Sequence, residues 1–139
     1  MIEPKIEKIN APVAPTPLGP YSHAVAYGGL VFVSGMAARD PKTNKIPGLE
    51  MSGGVKTKYD IRAETRGTIE NIRQALEAAG SSLAKVIEVN VYLLDMKDFG
   101  AYNEAYSEYF NESRPARTTV AVAGLPGDIS IEMKVVAAR

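Results

Sequence analysis

The chain has 139 residues, 16 basic and 16 acidic side chains, no cysteine and a single histidine, His23. One domain, 1–139, fits that length. Zero net charge gives no global field toward nucleic acid or anionic membranes; the lack of cysteine removes disulfides and thiol chemistry, and a lone histidine removes multi-histidine metal centres.

Lys5 to Ile9 alternates weakly and reads as an edge strand. Ala11 to Pro20 holds four prolines and a glycine. It cannot be helical and lacks ladder donors, so it is an extended loop, ordered or mobile. Ala24 to Tyr27, Gly28-Gly29 and Leu30 to Ser34 form a predicted hairpin, because Gly-Gly suits a tight primed turn. Arg39 to Thr57, with its prolines and glycines, reads as one long loop.

Thr57-x-x-Asp60 resembles a capping box. Ile61, Thr65, Ile69, Ile72, Leu76 and Ala79 then recur at helical spacing, and Gly80 is a natural stop. Val86 to Leu94 alternates as a strand, with Glu88, Asn90 and Tyr92 sharing one side. Asp95 or Asp98 caps a second helix whose stripe is Phe99, Tyr102, Tyr106, Tyr109 and Phe110; such a stripe reads first as core. Arg114-Pro115 ends it. Thr118 to Ala123 and Ile129 to Ala138 complete the strands, around a turn at Leu125 to Asp128.

The order β-ββ-α-β-α-ββ predicts an α+β domain. Right-handed crossovers make the strands around each helix parallel, and two helices cover one face of a mixed sheet. The opposite face stays apolar and uncovered, so self-association through it is expected.

No apolar run nears the roughly 20 residues that span a bilayer. The N-terminus MIEPKIEKIN lacks a signal-like apolar stretch, so a soluble, cytoplasmic protein is expected.

The tools left for chemistry are arginine, carboxylates, hydroxyls and backbone amides. Gly19-Pro20 fixes a reversal that places Tyr21, as a ligand-bonding hydroxyl or a packed ring. Ser34-Gly35 ends an apolar strand where a ligand can approach the backbone, or simply stops it. Arg117 opens an apolar strand and needs an anionic partner. It suits a substrate carboxylate through two parallel hydrogen bonds, or an ion pair with Glu132 on a neighbouring strand. Glu132 stands in an otherwise apolar strand, where it can orient water or face solvent. No phosphate-binding glycine loop and no metal-ligand spacing is present.

In order, Gly19-Pro20-Tyr21-Ser22, Phe32-Val33-Ser34-Gly35, Asp40-Pro41-Lys42-Thr43, Thr68-Ile69-Glu70-Asn71-Ile72, Arg114-Pro115-Ala116-Arg117, and Leu125-Pro126 through Ile131-Glu132 resemble the Rid family of reactive intermediate (imine) deaminases. The match runs from about Ile9 to Ala138. The resemblance implies a chorismate-mutase-like α+β fold, a mixed six-stranded sheet with two helices on one face. It implies a homotrimer with clefts between subunits, and hydrolysis of small enamine or imine carboxylates to ketones and ammonia without a cofactor. It puts the catalytic roles on Arg117, which holds the carboxylate, and Glu132, which positions water. Substrate contacts are expected from Tyr21, Ser34, Arg117, His23, Asn90 and Thr119.

Three positions depart from the common pattern. His23 and Met36 replace frequent glutamines and Thr119 a frequent cysteine, which suggests a remodelled pocket. The stretch Gly48–Tyr59 is longer than usual. With Gly48-Leu49-Glu50 and Asp60-Ile61-Arg62-Ala63 it resembles the 2-aminomuconate deaminase branch, which implies conversion of 2-aminomuconate to 4-oxalocrotonate in aromatic-compound degradation. A second carboxylate on such a substrate would need its own donors, with Lys56, Lys58, Arg62 and Arg39 as candidates. The competing expectations are a broad 2-aminoacrylate-type deaminase, a non-enzymatic small-acid-binding or chaperone-like trimer, and RNA cleavage. The last is disfavoured by zero net charge and the lack of an aromatic and basic RNA-binding motif.

Overall fold

The computed structural model describes residues 3–139; the first two residues of the expected domain lie outside the described residues. Three strands come first, β1 (Glu7–Ile9), β2 (Ala24–Tyr27) and β3 (Leu30–Met36). Then follow β4 (Glu50–Ser52), β5 (Val55–Lys58), α1 (Ile61–Ala78), β6 (Val86–Leu93), α2 (Phe99–Phe110), β7 (Ala116–Ala121) and β8 (Ile131–Ala138). Six strands form one sheet in the order β1-β2-β3-β8-β6-β7, and β4 pairs with β5 in a separate ribbon. Both helices lie on one face of the sheet, as the alternation implies.

Two expectations about connectivity need amendment. The strands flanking each helix are parallel, but only β6 and β7 are direct neighbours. The last strand, β8, inserts antiparallel between β3 and β6. Ile131, Met133, Val135 and Ala137 give this central strand its buried helix-side face, while Glu132 and Lys134 lie on the half-buried other face. The stretch 39–57 is not one loop: residues 50–58 form the β4–β5 hairpin.

Helix α1 starts one turn later than the Thr57 capping box implies. Asp60 is the N-cap, accepting from the Ala63 N–H at 3.0 Å. Thr57 belongs to β5, where its hydroxyl donates to Glu50 O. An aspartate directly before the first helical residue satisfies an orphan donor at that end and carries the favourable charge for it. Ile61, Thr65, Ile69, Ile72, Leu76 and Ala79 are all buried, so the predicted stripe is the core face. On α2, Tyr102, Tyr106 and Phe110 are buried in edge-on or tilted contact, with centroids 6.0 and 4.7 Å apart. Asp95 caps a short turn before this helix, while Asp98 instead accepts from the Tyr59 hydroxyl at 2.8 Å. Burial, reinforced by that bond, pushes the Tyr59 pKa up to about 12.

The opposite sheet face presents Tyr27, Leu30, Phe32 and Val120, each more than a third exposed. Among the described residues nothing covers them, so the apolar face expected to mediate self-association is present as an exposed surface.

Candidate active site

Strand β3 carries the device that shapes the site. Val33 pairs with Val135 and Met36 with Met133, so Ser34 and Gly35 together face one residue of β8. This is a β-bulge, which bends the strand and aims its residues away from the ladder. The Ser34 N–H donates to His23 O and its hydroxyl to Ser22 O at 2.6 Å, which staples the bulge to the residues leading into β2. At Gly35 the backbone comes so close to β8 that a Cβ would lie 2.7 Å from Glu132 Oε2. The Glu132 carboxylate therefore occupies the space that any other side chain at 35 would fill.

Glu132 is half-buried, and burial raises its pKa above the usual carboxylate value of 4.5. It lines a cleft of about 300 Å³ together with Tyr21, His23, Gly35, Met36 and Arg39. The proline-rich segment Pro15–Leu18 and the turn Pro126–Ile129 complete its lining. A carboxylate whose pKa burial raises is a stronger proton acceptor than a solvated one, once ionised.

The proline-rich segment is tied down by side-chain hydrogen bonds, as the ordered alternative requires. His23 is the latch. Its Nδ1 accepts from the Ala11 N–H at 2.8 Å, and its Nε2–H donates to Pro15 O at 2.6 Å. The tautomer follows from those two bonds. With both nitrogens engaged by backbone, His23 forms part of the cleft wall but has no free ring donor or acceptor for a ligand. Arg39 adds a bond from Nη2 to Thr16 O at 2.8 Å, and the Tyr21 hydroxyl accepts from the Leu18 N–H at 3.1 Å.

The remaining residues singled out in the sequence lie elsewhere. Arg117 pairs with Val89 across β6–β7, which puts it on the helix side. Its Nη1 donates to Asn103 Oδ1 at 2.8 Å, and its guanidinium carbon stands 4.6 Å from the Tyr106 ring centre and 5.4 Å from that of Tyr102. The aromatic stripe is thus core along most of α2 and a cation cradle at its exposed edge. Thr119 shares that side, bonded to the Tyr102 hydroxyl. Arg117 edges a second cavity of about 440 Å³ with Asn103, Ser107 and Arg114. Asn90 is on the other face, donating to Glu88.

Arg117 and Glu132 do not pair. Strand β6 separates β7 from β8, and Glu132 aligns with Tyr92, three residues along β6 from Val89. Strand spacing and rise place their Cα atoms roughly 14 Å apart, with the two side chains on opposite sheet faces. One chain therefore holds the two candidate groups apart, a carboxylate in a cleft and an aromatic-backed arginine on an edge strand.

A buried acid that the sequence reading missed holds the residue that follows the cleft-lining Ile129. Glu64 is fully buried, and its Oε1 accepts from the Ser130 N–H at 2.9 Å. Lys56 of the β4–β5 hairpin reaches the same residue, donating to Ser130 Oγ at 2.8 Å. Burial raises the Glu64 pKa, against the opposing pull of the Ser130 N–H and Lys56. Glu64 Oε2 has no partner among the described residues.

The comparisons agree over nearly the whole chain. The family model described as "Endoribonuclease L-PSP" matches residues 11–139. A RutC family protein of Pyrococcus abyssi is 47% identical over 131 residues, covering 94% of this chain and 95% of the relative. A protein of Dermatophagoides farinae named 2-iminobutanoate/2-iminopropanoate deaminase is 36% identical over 126 residues, covering 91% of each chain. Among solved structures, E. coli TdcF with bound serine superposes with a TM-score of 0.83 at 33% identity, covering 96% of this chain and 98% of that one. With the α+β architecture and the cleft in place, the chain belongs to the Rid family, whose sequence model carries the endoribonuclease description.

Proposed function

We propose that the protein hydrolyses enamine and imine carboxylic acids to keto acids and ammonia. The observation that carries this reading is Glu132, a half-buried carboxylate with a raised pKa, seated against the Gly35 backbone in a small cleft. The relative named as an imine deaminase supports the same chemistry. An enamine first takes a proton on carbon and gives one up from nitrogen, becoming an imine. Glu132 orients a water, whose oxygen adds to the C=N carbon. Two hydrogens pass from that water to nitrogen, and ammonia leaves as the carbonyl forms. Imines hydrolyse unaided, so orientation supplies most of the acceleration, with base assistance of about 10²–10⁴-fold.

Arg117 is the proposed carboxylate anchor. It cannot serve the cleft of its own chain, so the reading includes a homotrimer in which one protomer's Arg117 completes a neighbour's Glu132 cleft. The uncovered face around Phe32 and Val120 supports such an assembly. Zero net charge and a cleft of small-molecule size favour a small acid over RNA. The narrower reading, 2-aminomuconate to 4-oxalocrotonate, rests on the insert. Residues 48–59 do not line the Glu132 cleft, and Arg62 pairs with Glu104 at 2.7 Å. The generic deaminase is therefore the better-supported form.

The test supplies 2-iminobutanoate from 2-aminobutanoate and an amino-acid oxidase, and follows keto-acid formation. The protein should raise the rate above the spontaneous one. No acceleration on any imine acid would reduce it to a non-catalytic small-acid binder. Mixing inactive Arg117→Ala and Glu132→Gln protomers should restore roughly a quarter of the activity at equal amounts, because only interfaces with both groups intact turn over. Complete failure of complementation would place both groups in one protomer's site.

A further inference from the structure

We propose that the Glu132 cleft selects acids carrying a second anionic group, and that Arg39 holds that group. The inference rests on the deaminase reading and names its substrate class, imines of dicarboxylic acids in preference to short monocarboxylic ones.

Arg39 is the one cation among the described residues lining the cleft. Its neighbours there include Pro15, Leu18, Met36 and Ile46, which offer a guanidinium no charge. Two acids also line the cleft, Asp128 and Glu132, yet neither comes within 4.0 Å of Arg39 as an ion pair, whereas Arg62, Arg66, Arg73 and Arg139 each hold a glutamate. A half-buried arginine without a carboxylate, facing a cleft with apolar walls, is an anion site awaiting its anion.

The side chain is held at both ends. Its guanidinium donates to Thr16 O at 2.8 Å through Nη2. That leaves most of its five N–H groups for a ligand. Its backbone is pinned by Asn71 on α1, which donates to Ala37 O at 2.7 Å and to Arg39 O at 2.9 Å. Gly67 allows that approach, since a Cβ there would lie 2.9 Å from Ala38 Cβ. Arg39 is thus positioned before a ligand arrives, the condition under which a charged contact gives selectivity rather than merely paying for its own ordering. A role limited to tethering the Thr16 segment would shape the cleft for every ligand alike, and that difference makes the proposal testable.

The experiment measures calorimetric affinity for 2-oxobutanoate and 2-oxoglutarate, and turnover of the matching imines, with the wild type, Arg39→Leu and Arg39→Gln. Glutamine can still donate to Thr16 O, so it separates charge from tether. The wild type should bind 2-oxoglutarate at least about tenfold more tightly than 2-oxobutanoate. Both variants should lose about 10–100-fold on the diacid, as expected for a charge-assisted pair. On the monoacid Arg39→Gln, which keeps a donor for Thr16 O, should change less than about twofold, whereas Arg39→Leu, which also drops that tether, should lose some affinity for both acids but more for the diacid. Turnover should follow the same split. Equal affinity for the two acids in the wild type would overturn the proposal. So would parallel losses on both acids in Arg39→Gln, which would make Arg39 a tether. Turnover of 2-iminobutanoate without diacid selectivity would sink the proposal and spare the deaminase reading. Selective diacid binding without any turnover would do the reverse.

Discussion

Replacing Gly35 by alanine tests the link between the β3 bulge and catalysis. The new methyl would stand 2.7 Å from Glu132 Oε2 and 3.0 Å from its Cδ, about 0.7 Å inside the 3.4 Å at which ordinary contact begins. Two things can yield, the backbone of a bulge stapled by Ser34 or the free end of a glutamate side chain. The glutamate is the softer, because its carboxylate is half-buried and makes no hydrogen bond among the described residues. The fold should therefore lose little, at the low end of the ~1–3 kcal/mol typical of overpacking. The reaction should lose more, since a displacement approaching 1 Å at a reacting group costs up to about 10²-fold. The expected fall in kcat/KM on 2-iminobutanoate is about 10–100-fold, or about 1.4–2.7 kcal/mol of transition-state stabilisation. Gly35→Ala added to Glu132→Gln should cost almost nothing further, because both act through one carboxylate. Wild-type turnover by Gly35→Ala, or full additivity in the double variant, would refute the reasoning.

Three further outcomes follow from the same geometry. Arg117→Ala should lower kcat/KM on imine acids by about 10–100-fold with the oligomer intact by light scattering, and Arg117→Lys should rescue poorly because it lacks the two-pronged contact. Because Glu132 must be ionised to accept a proton and burial raises its pKa, activity should fall as the pH drops through that raised value, with the acid limb of the kcat/KM profile above 4.5; Glu132→Gln should abolish that limb. Glu64 works on stability with the opposite sense. Its raised folded-state pKa favours the protonated form, so its contribution is fullest below the ordinary carboxylate pKa and is lost as pH rises through the raised one. Thermal midpoints from pH 4 to 8 should show that decline in the wild type and a flatter profile in Glu64→Gln; identical slopes would dismiss the buried carboxylate as the cause.

The helices and the sheet strands were legible because each buries a repeating face. The Ile61-to-Ala79 stripe and the Ile131, Met133, Val135 alternation are patterns that only a helix and a strand can bury. The β4–β5 hairpin was not legible, because Met51 and Val55 are exposed and leave no buried alternation to read. Strand order was only half available. Alternation gives the faces of β8 but not its neighbours, so Glu132 was placed next to the strand of Arg117 when β6 lies between them. Single-position chemistry showed least. Asn71 and Glu64 belong to the helical face as polar interruptions, and their value lies in reaching Ala37, Arg39 and Ser130, segments distant in the chain. Asn103 was equally silent. The signal that existed was polarity on a buried stripe, which asks for a partner without naming it.

The His23 latch has a consequence for how this cleft can change over time. It grips the segment 11–15 only by main-chain groups, the N–H of Ala11 and the carbonyl of Pro15, and Arg39 likewise takes the carbonyl of Thr16. Any residue offers a carbonyl, and any but proline offers an N–H. The side chains at Thr16, Pro17 and Leu18, which face the ligand space, are free to mutate while the wall that bears them stays where it is. Specificity and architecture are thus inherited separately, so a lineage can retune what enters the cleft without first rebuilding the loop.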